Sequence, residues 1–146
     1  MNSYQAEQVA ALLNLRNALT RQYTADRVLN EAQTYVTELG PDGRVLGCVQ
    51  LKRIQWYQSE LCHLTVAEAA EGQGVATELV ERAEAIAEQN GSRIVQCTVR
   101  IGNARSLSRF TKLGYQESVT FHNSVSGNDV VVLQKILVPS SASGVL

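Results

Sequence analysis

The sequence predicts an α/β chain of the α+β kind: a mixed, mostly antiparallel sheet containing one parallel strand–helix–strand unit, flanked by helices. Three observations carry this. Gly40-Pro41-Asp42-Gly43 lies between two apolar runs, a strong hairpin signal. The apolar run Glu60–Ala67 is followed by a helix-period stripe and then by a second apolar run, Ile94–Val99. Strands joined through a helix in this way lie parallel. Finally, two strand-like runs flank Ser126-Gly127-Asn128 near the end, a second hairpin.

Taken in order, Val9, Leu12, Leu13 and Leu19 form a helical stripe between Tyr4 and Leu19. Thr24 reads as an N-cap, with Asp26 in the first turn of a short helix through Val28, Leu29 and Ala32. Tyr35–Leu39 and Arg44–Ile54 are the arms of the first hairpin, and Trp56-Tyr57-Gln58-Ser59 reads as the connection into the strand Glu60–Ala67. Val75, Leu79, Val80, Ala83, Ile86 and Ala87 then repeat at helical spacing, with Glu78, Glu81, Glu84 and Glu88 largely outside that stripe, and Asn90-Gly91 stops the helix. A further helix is expected from about Asn103 to Leu113, with Ala104, Leu107, Phe110 and Leu113 facing inward and Gly114 ending it. The last strands are Gln116–His122 and Val130–Leu137. Residues 1–138 read as a single domain, and 139–146 as a small polar tail expected to fray.

Composition narrows the function classes. At 146 residues, 45% hydrophobic and 18% charged, the chain is long and apolar enough for an ordinary globular core. No apolar run reaches the roughly 20 residues of a spanning helix, and the first residues lack a signal-peptide pattern, so neither a membrane protein nor a secreted one is expected. Cys48, Cys62 and Cys97 each lie in a strand-like run, without metal-ligand spacing, and read as buried reduced thiols of a cytoplasmic protein. The net charge is −1, but residues 1–92 hold 12 acids against 7 bases and residues 93–146 hold 2 acids against 6 bases. Arg93, Arg100, Arg105, Arg109 and Lys112 therefore read either as a solvated face or as a local anion site. The near-zero total and the lack of interleaved aromatics argue against nucleic acid.

The segment Val66-Ala67-Glu68-Ala69-Ala70-Glu71-Gly72-Gln73-Gly74-Val75-Ala76-Thr77 is the most informative. A strand ends, glycines follow, and a helix begins. Helix starts offer unpaired N–H groups and a positive dipole end, and glycine lets an anion come close, which is the physics of a phosphate site. It is not a dinucleotide fingerprint, because Thr77 stands where a third glycine belongs and Val99-Arg100 where an acid belongs. Nor is it a P-loop, which needs a lysine.

Two motifs in this order resemble the GCN5-related N-acetyltransferase (GNAT) family. Glu71-Gly72-Gln73-Gly74-Val75-Ala76 matches its Arg/Gln-x-x-Gly-x-Gly/Ala motif. Asn103-Ala104-Arg105-Ser106-Leu107-Ser108-Arg109-Phe110-Thr111-Lys112-Leu113-Gly114-Tyr115 matches its Asn-x-x-Ala/Ser-x-x-x-Tyr/Phe-x-x-x-Gly-Phe/Tyr motif. The resemblance runs from Glu60 to about Leu137 and is looser before that. It implies a sheet that splays between its two central parallel strands, with acetyl-CoA as cosubstrate and its pantetheine arm lying in the gap. By the same resemblance, backbone groups of Leu64 and Val66 would pair with pantetheine. The N–H groups of Gly72, Gln73, Gly74, Val75 and Ala76 would hold the pyrophosphate. Asn103 would contact the pantetheine arm, and Ser106 and Phe110 would flank its thiol end.

The activity implied is attack of a primary amine, on a small molecule or a protein, upon the thioester. Such an amine must be uncharged, so a base is required, and Glu60, six residues before Val66, is the candidate catalytic residue. Its strand parity with Cys62, Leu64 and Val66 places it on the face toward the thioester; a solvated or amine-orienting glutamate is the alternative. His63 falls on the opposite face and reads as a packed histidine, and His122 has no motif support. The chain departs from the family at Glu71, where Arg or Gln is usual, and at Phe110, where many members have a tyrosine that protonates the departing thiolate. Tyr115, Ser106 or water is then left for that role. These departures also support an alternative, a catalytically weak or inactive module of the same fold that binds CoA or a protein partner. No feature specifies a homodimer, and the acceptor is not legible.

Overall fold

The computed structural model describes all residues except 18, 20 and 138–146. The expected polar tail lies outside the described residues. Six strands form one sheet, β1 (Tyr35–Leu39), β2 (Val45–Gln55), β3 (Gln58–Val66), β4 (Ile94–Arg100), β5 (Gln116–Asn123) and β6 (Asn128–Ile136), in the order β1-β2-β3-β4-β6-β5. The pairs β1/β2, β4/β6 and β5/β6 are antiparallel, and β3/β4 is parallel. Four helices accompany them: α1 (Ser3–Arg16), α2 (Ala25–Asn30), α3 (Val75–Gln89) and α4 (Ala104–Lys112). The predicted fold class is thus the observed one. Among the described residues no helix is long and apolar enough to cross a membrane.

The chain groups into two compact units. Among the described residues, one comprises those within 1–52 and 61–83, and the other those within 53–60 and 84–137. In the first, Ala6, Val9, Ala10, Leu12 and Leu13 of α1 pack with Tyr23, Val28, Val45 and Cys48. α1 opens with a capping box, in which Asn2 Oδ1 accepts from the Gln5 N–H and Gln5 Oε1 accepts from the Asn2 N–H. It ends at Arg16 rather than at Leu19, because Asn17 turns extended and its amide donates to the Leu13 carbonyl and to Thr65 Oγ1, both at 3.0 Å. Leu19 still packs on the core from outside the helix. Thr24 caps α2 as expected, accepting from the Arg27 N–H, and a 3-10 turn over Ala32–Thr34 takes the place of the last predicted helical residues.

Gly47 in β2 permits the close approach of α3. A Cβ there would stand 3.0 Å from Leu79 Cδ1, Val75 Cγ1 and the Thr65 carbonyl oxygen. In β3, His63 has φ 54, the left-handed region that a non-glycine residue seldom enters. Alternation along the strand breaks there, so that Thr65 and Val66 are both buried. Its ring meets Tyr23 edge-on, with centroids 5.6 Å apart.

In the second unit β3 begins two residues earlier than expected, at Gln58. Gln58 and Ser59 look like loop residues but are buried and paired. Gln58 accepts from Gln55 and donates to Gln96, and the Ser59 and Ser92 hydroxyls share a hydrogen bond of 2.6 Å. The connection from β2 is therefore only Trp56-Tyr57. The parallel ladder runs from Gln58↔Ile94 to Glu60↔Gln96. Val95, Cys97 and Val99 of β4 are buried, as are Val130–Leu133 of β6. α3 and α4 both close with paired 6→1 and 5→2 backbone bonds, from Ser92 to Ala87 and Gly91 to Glu88, and from Tyr115 to Phe110 and Gly114 to Thr111. Of the expected inner face of α4, Phe110 is buried and Leu107 and Leu113 half-buried, but Ala104 is exposed. It sits in the first turn, directly after the Asn103 cap.

Candidate functional site

In the first unit the chain leaves β3 at Val66. The Ala67 N–H donates to the Leu46 carbonyl at 2.8 Å, and a 3-10 turn over Glu68–Ala70 leads to Glu71. Gly72 and Gly74 then take φ 77 and φ 78. A Cβ on either would meet nothing within 4 Å, so backbone conformation, and not crowding, calls for glycine; the space above the loop is open. The Glu78 N–H bonds back to the Gly74 carbonyl at 3.1 Å. The N–H groups of Val75, Ala76 and Thr77 precede it and have no acceptor inside α3. Gly72, Gln73 and Gly74 thus form an exposed turn that leads directly into buried Val75 and half-buried Ala76, the first residues of a helix of 15 residues. Leu64 and Val66 lie on the last part of β3, half-buried and buried respectively.

Glu71 does not stand alone. Its carboxylate accepts from an Nη of Arg16, in the last turn of α1, and both side chains remain partly exposed, at 28% and 29%. This pairing spans 55 positions of sequence, and no spacing rule could show it.

In the second unit Glu60 is half-buried in β3, opposite Gln96 of β4 in the parallel register. The left-handed residue at 63 lies between Glu60 and Cys62 on one side and Leu64 and Val66 on the other, interrupting regular strand alternation between them. Asn103 caps α4, its Oδ1 accepting from the Ser106 N–H at 3.2 Å, which leaves its Nδ2 donors and one Oδ1 lone pair for a ligand. With Arg100, Ile101, Gly102, Asn128 and Asp129 it lines an open hollow. Ser106 is half-buried and Phe110 buried, the Phe110 ring meeting Tyr115 edge-on at 5.2 Å.

Tyr115 is not available as a stand-in acid. Only 2% exposed, its hydroxyl donates to Glu84 Oε2 at 2.7 Å, while Lys135 Nζ holds Oε1 at 3.0 Å. Burial first, then the Glu84 carboxylate, pushes the phenol far above its usual range. His63, although exposed at its surface, has its pKa lowered by desolvation of the ring and by the Lys52 and Arg27 charges. His122 Nδ1 lies 2.7 Å from Asp129 Oδ1 across the β5–β6 hairpin, a pair the sequence did not reveal. Cys48 and Cys97 are buried and Cys62 half-buried.

The acetyltransferase (GNAT) family profile matches residues 3–115, and the chain belongs to that family. Among solved structures, Ard1 from Thermoplasma volcanium matches at TM-score 0.81 and 16% identity, over 95% of each chain. A ribosomal-protein-alanine N-acetyltransferase from Brucella melitensis matches at 0.76 and 18% identity, over 94% of this chain and 97% of that one. A GNAT family acetyltransferase from Elizabethkingia anophelis, solved with acetyl-CoA bound, matches at 0.71 and 16% identity, over 87% and 89%. At these identities the likeness is one of fold. No curated protein sequence matches the chain.

Proposed function

We propose that the protein is an acyl-CoA-dependent N-acyltransferase that moves acetyl from acetyl-CoA to a primary amine by direct attack. The observation that carries this is the Gly72–Ala76 turn. In a chain of this family, it presents left-handed glycines, open space and helix-start N–H groups together. These residues fit a pyrophosphate, which needs close backbone approach and donors rather than a side-chain cage.

Acetyl-CoA supplies the acyl group as a thioester. In this reading the N–H groups of residues 72–76 bind its pyrophosphate, backbone groups of Leu64 and Val66 pair with the pantetheine arm, and the Leu64 N–H faces the thioester oxygen. Asn103 Nδ2 adds a contact to the arm, and Ser106 and Phe110 flank its thiol end. Glu60, directly or through water, takes a proton from the ammonium so that the nitrogen lone pair can form the new C–N bond. The C–S bond then breaks. Phe110 has no hydroxyl and that of Tyr115 is held by Glu84, so the sulfur leaves as thiolate, and the second proton that the nitrogen sheds on becoming an amide passes to that sulfur through water or Ser106, or to solvent. An ordinary thiol pKa near 8.5 makes this departure easy.

The test is thermal unfolding with acetyl-CoA, CoA and NAD in parallel, followed by acetyl transfer to an amine panel by wild type and Glu60→Gln. A ligand at about 100 times its Kd adds about 2.7 kcal/mol, which moves the midpoint of such a domain by several degrees. Shifts with both CoA species but not NAD, and turnover lost in Glu60→Gln, are expected. Binding without turnover on any amine would instead leave a non-catalytic CoA-binding module.

A further inference from the structure

We infer that Arg16, carried on α1 and held by Glu71, is the cation that contacts the coenzyme pyrophosphate, in place of the Arg or Gln side chain usual at position 71. This rests on the coenzyme reading above. The loop side chains from 71 to 74 are Glu, Gly, Gln and Gly, so on its own the turn presents a carboxylate to a polyanion. The structure brings one guanidinium to that carboxylate. It is held there by more than the ion pair. The next residue, Asn17, ends α1 by donating to both the Leu13 carbonyl and Thr65 Oγ1, and Thr65 immediately precedes Val66 at the root of the loop. The last turn of α1 is therefore tied to the strand from which the loop departs.

Two plainer roles do not account for the arrangement. A basic residue in a last helical turn favours the helix dipole, but that needs no partner on another element. An ion pair with both members this exposed contributes little to stability. Its charge matters most when a second anion arrives. Arg16 Nη donates to Glu71 Oε1, and the planar guanidinium carries five N–H donors in a fork that matches phosphate oxygens. With one Nη donor on Glu71, the guanidinium keeps further donors for a phosphate bound beside that carboxylate. Glu71 is then the positioning residue, and Arg16 the binding residue.

The experiment measures the affinity of CoA, dephospho-CoA and pantetheine for wild type, Arg16→Gln, Glu71→Gln and the double variant, each first checked for an unchanged unfolding midpoint. The expectation is a loss of tenfold or more for Arg16→Gln with CoA and dephospho-CoA alike, and no loss with pantetheine. Glu71→Gln should bind within a few-fold of wild type, and the double variant should stay about tenfold weak. Wild-type affinity in the double variant would overturn the inference, since Arg16 would then only cancel Glu71. So would wild-type affinity in Arg16→Gln, or a defect confined to CoA, which would place the contact on the 3′-phosphate. A wild type that binds no CoA species would sink the coenzyme reading and this inference together, an outcome distinct from the others.

Discussion

Replacing Tyr115 with phenylalanine removes one oxygen from a buried polar network of the second unit. The hydroxyl donates to a carboxylate at 2.7 Å, and both residues are buried. Hydrogen bonds to charged groups contribute about 1.5–3 kcal/mol. Lys135 still holds the other Glu84 oxygen at 3.0 Å, so the carboxylate keeps a partner, and a loss of about 2 kcal/mol is expected. For a chain near 150 residues this lowers the midpoint by roughly 4–8 °C. The loss should depend on pH with a definite sign. The folded phenol titrates above its ordinary value, so above about pH 10 the unfolded chain releases a proton that the native state retains. Wild-type stability then falls by up to about 1.4 kcal/mol per pH unit through this group, and the phenylalanine variant lacks that fall. Urea unfolding at pH 7, 9 and 11 reads both effects. A difference under about 0.5 kcal/mol at pH 7, or a gap that does not narrow between pH 9 and 11, would refute the reasoning.

Four further outcomes are expected. Asparagine and valine at position 63 both lose the Tyr23 contact, but asparagine tolerates φ 54 and valine does not, so His63→Val should unfold at about 1–2 kcal/mol less than His63→Asn in denaturant titrations. Because the His63 pKa is lowered, its contribution is complete above about pH 6.5 and is lost as pH falls below that, so the acid limb of stability should be shallower in His63→Asn. Burial pushes the Cys48 thiol up to about 12, so iodoacetamide at pH 8, followed by peptide mapping, should modify half-buried Cys62 well before Cys48. Gly47→Ala places a methyl 3.0 Å from a backbone carbonyl and two α3 side chains, and calorimetry should show a loss of about 1–3 kcal/mol.

Much of the fold was legible because its signals are local. Thr24 before α2, the Gly40–Gly43 turn and Asn90-Gly91 after α3 each decide structure within a few residues. The misreadings arose where the deciding partner is far along the chain. Gln58 and Ser59 look like loop residues until Gln96 and Ser92 satisfy them, and α1 stops where Asn17 finds Thr65. The candidate site divides in the same way. The Gly72–Gly74 turn is written in adjacent residues, whereas the partner of Glu71 and the engagement of Tyr115 with Glu84 depend on tertiary placement. The interruption of strand alternation at His63 was not legible either, since nothing in that residue type marks it as left-handed.

The outermost strand has a consequence for deuterium uptake. Among the described residues β5 ends the sheet with β6 as its one strand neighbour, and every residue from Gln116 to His122 is exposed. In an antiparallel pair the amides of one strand point alternately toward and away from the other. Along β5, alternate amides therefore face β6 and the rest face solvent, apart from the irregularity between Glu117 and Val119. Those of β6, flanked by β4 and β5, are covered on both sides. Exchange read at single-residue resolution should show a sawtooth of slow and fast sites along β5 beside a uniformly slow β6. Binding of another polypeptide along that edge would be recorded as the flattening of the sawtooth.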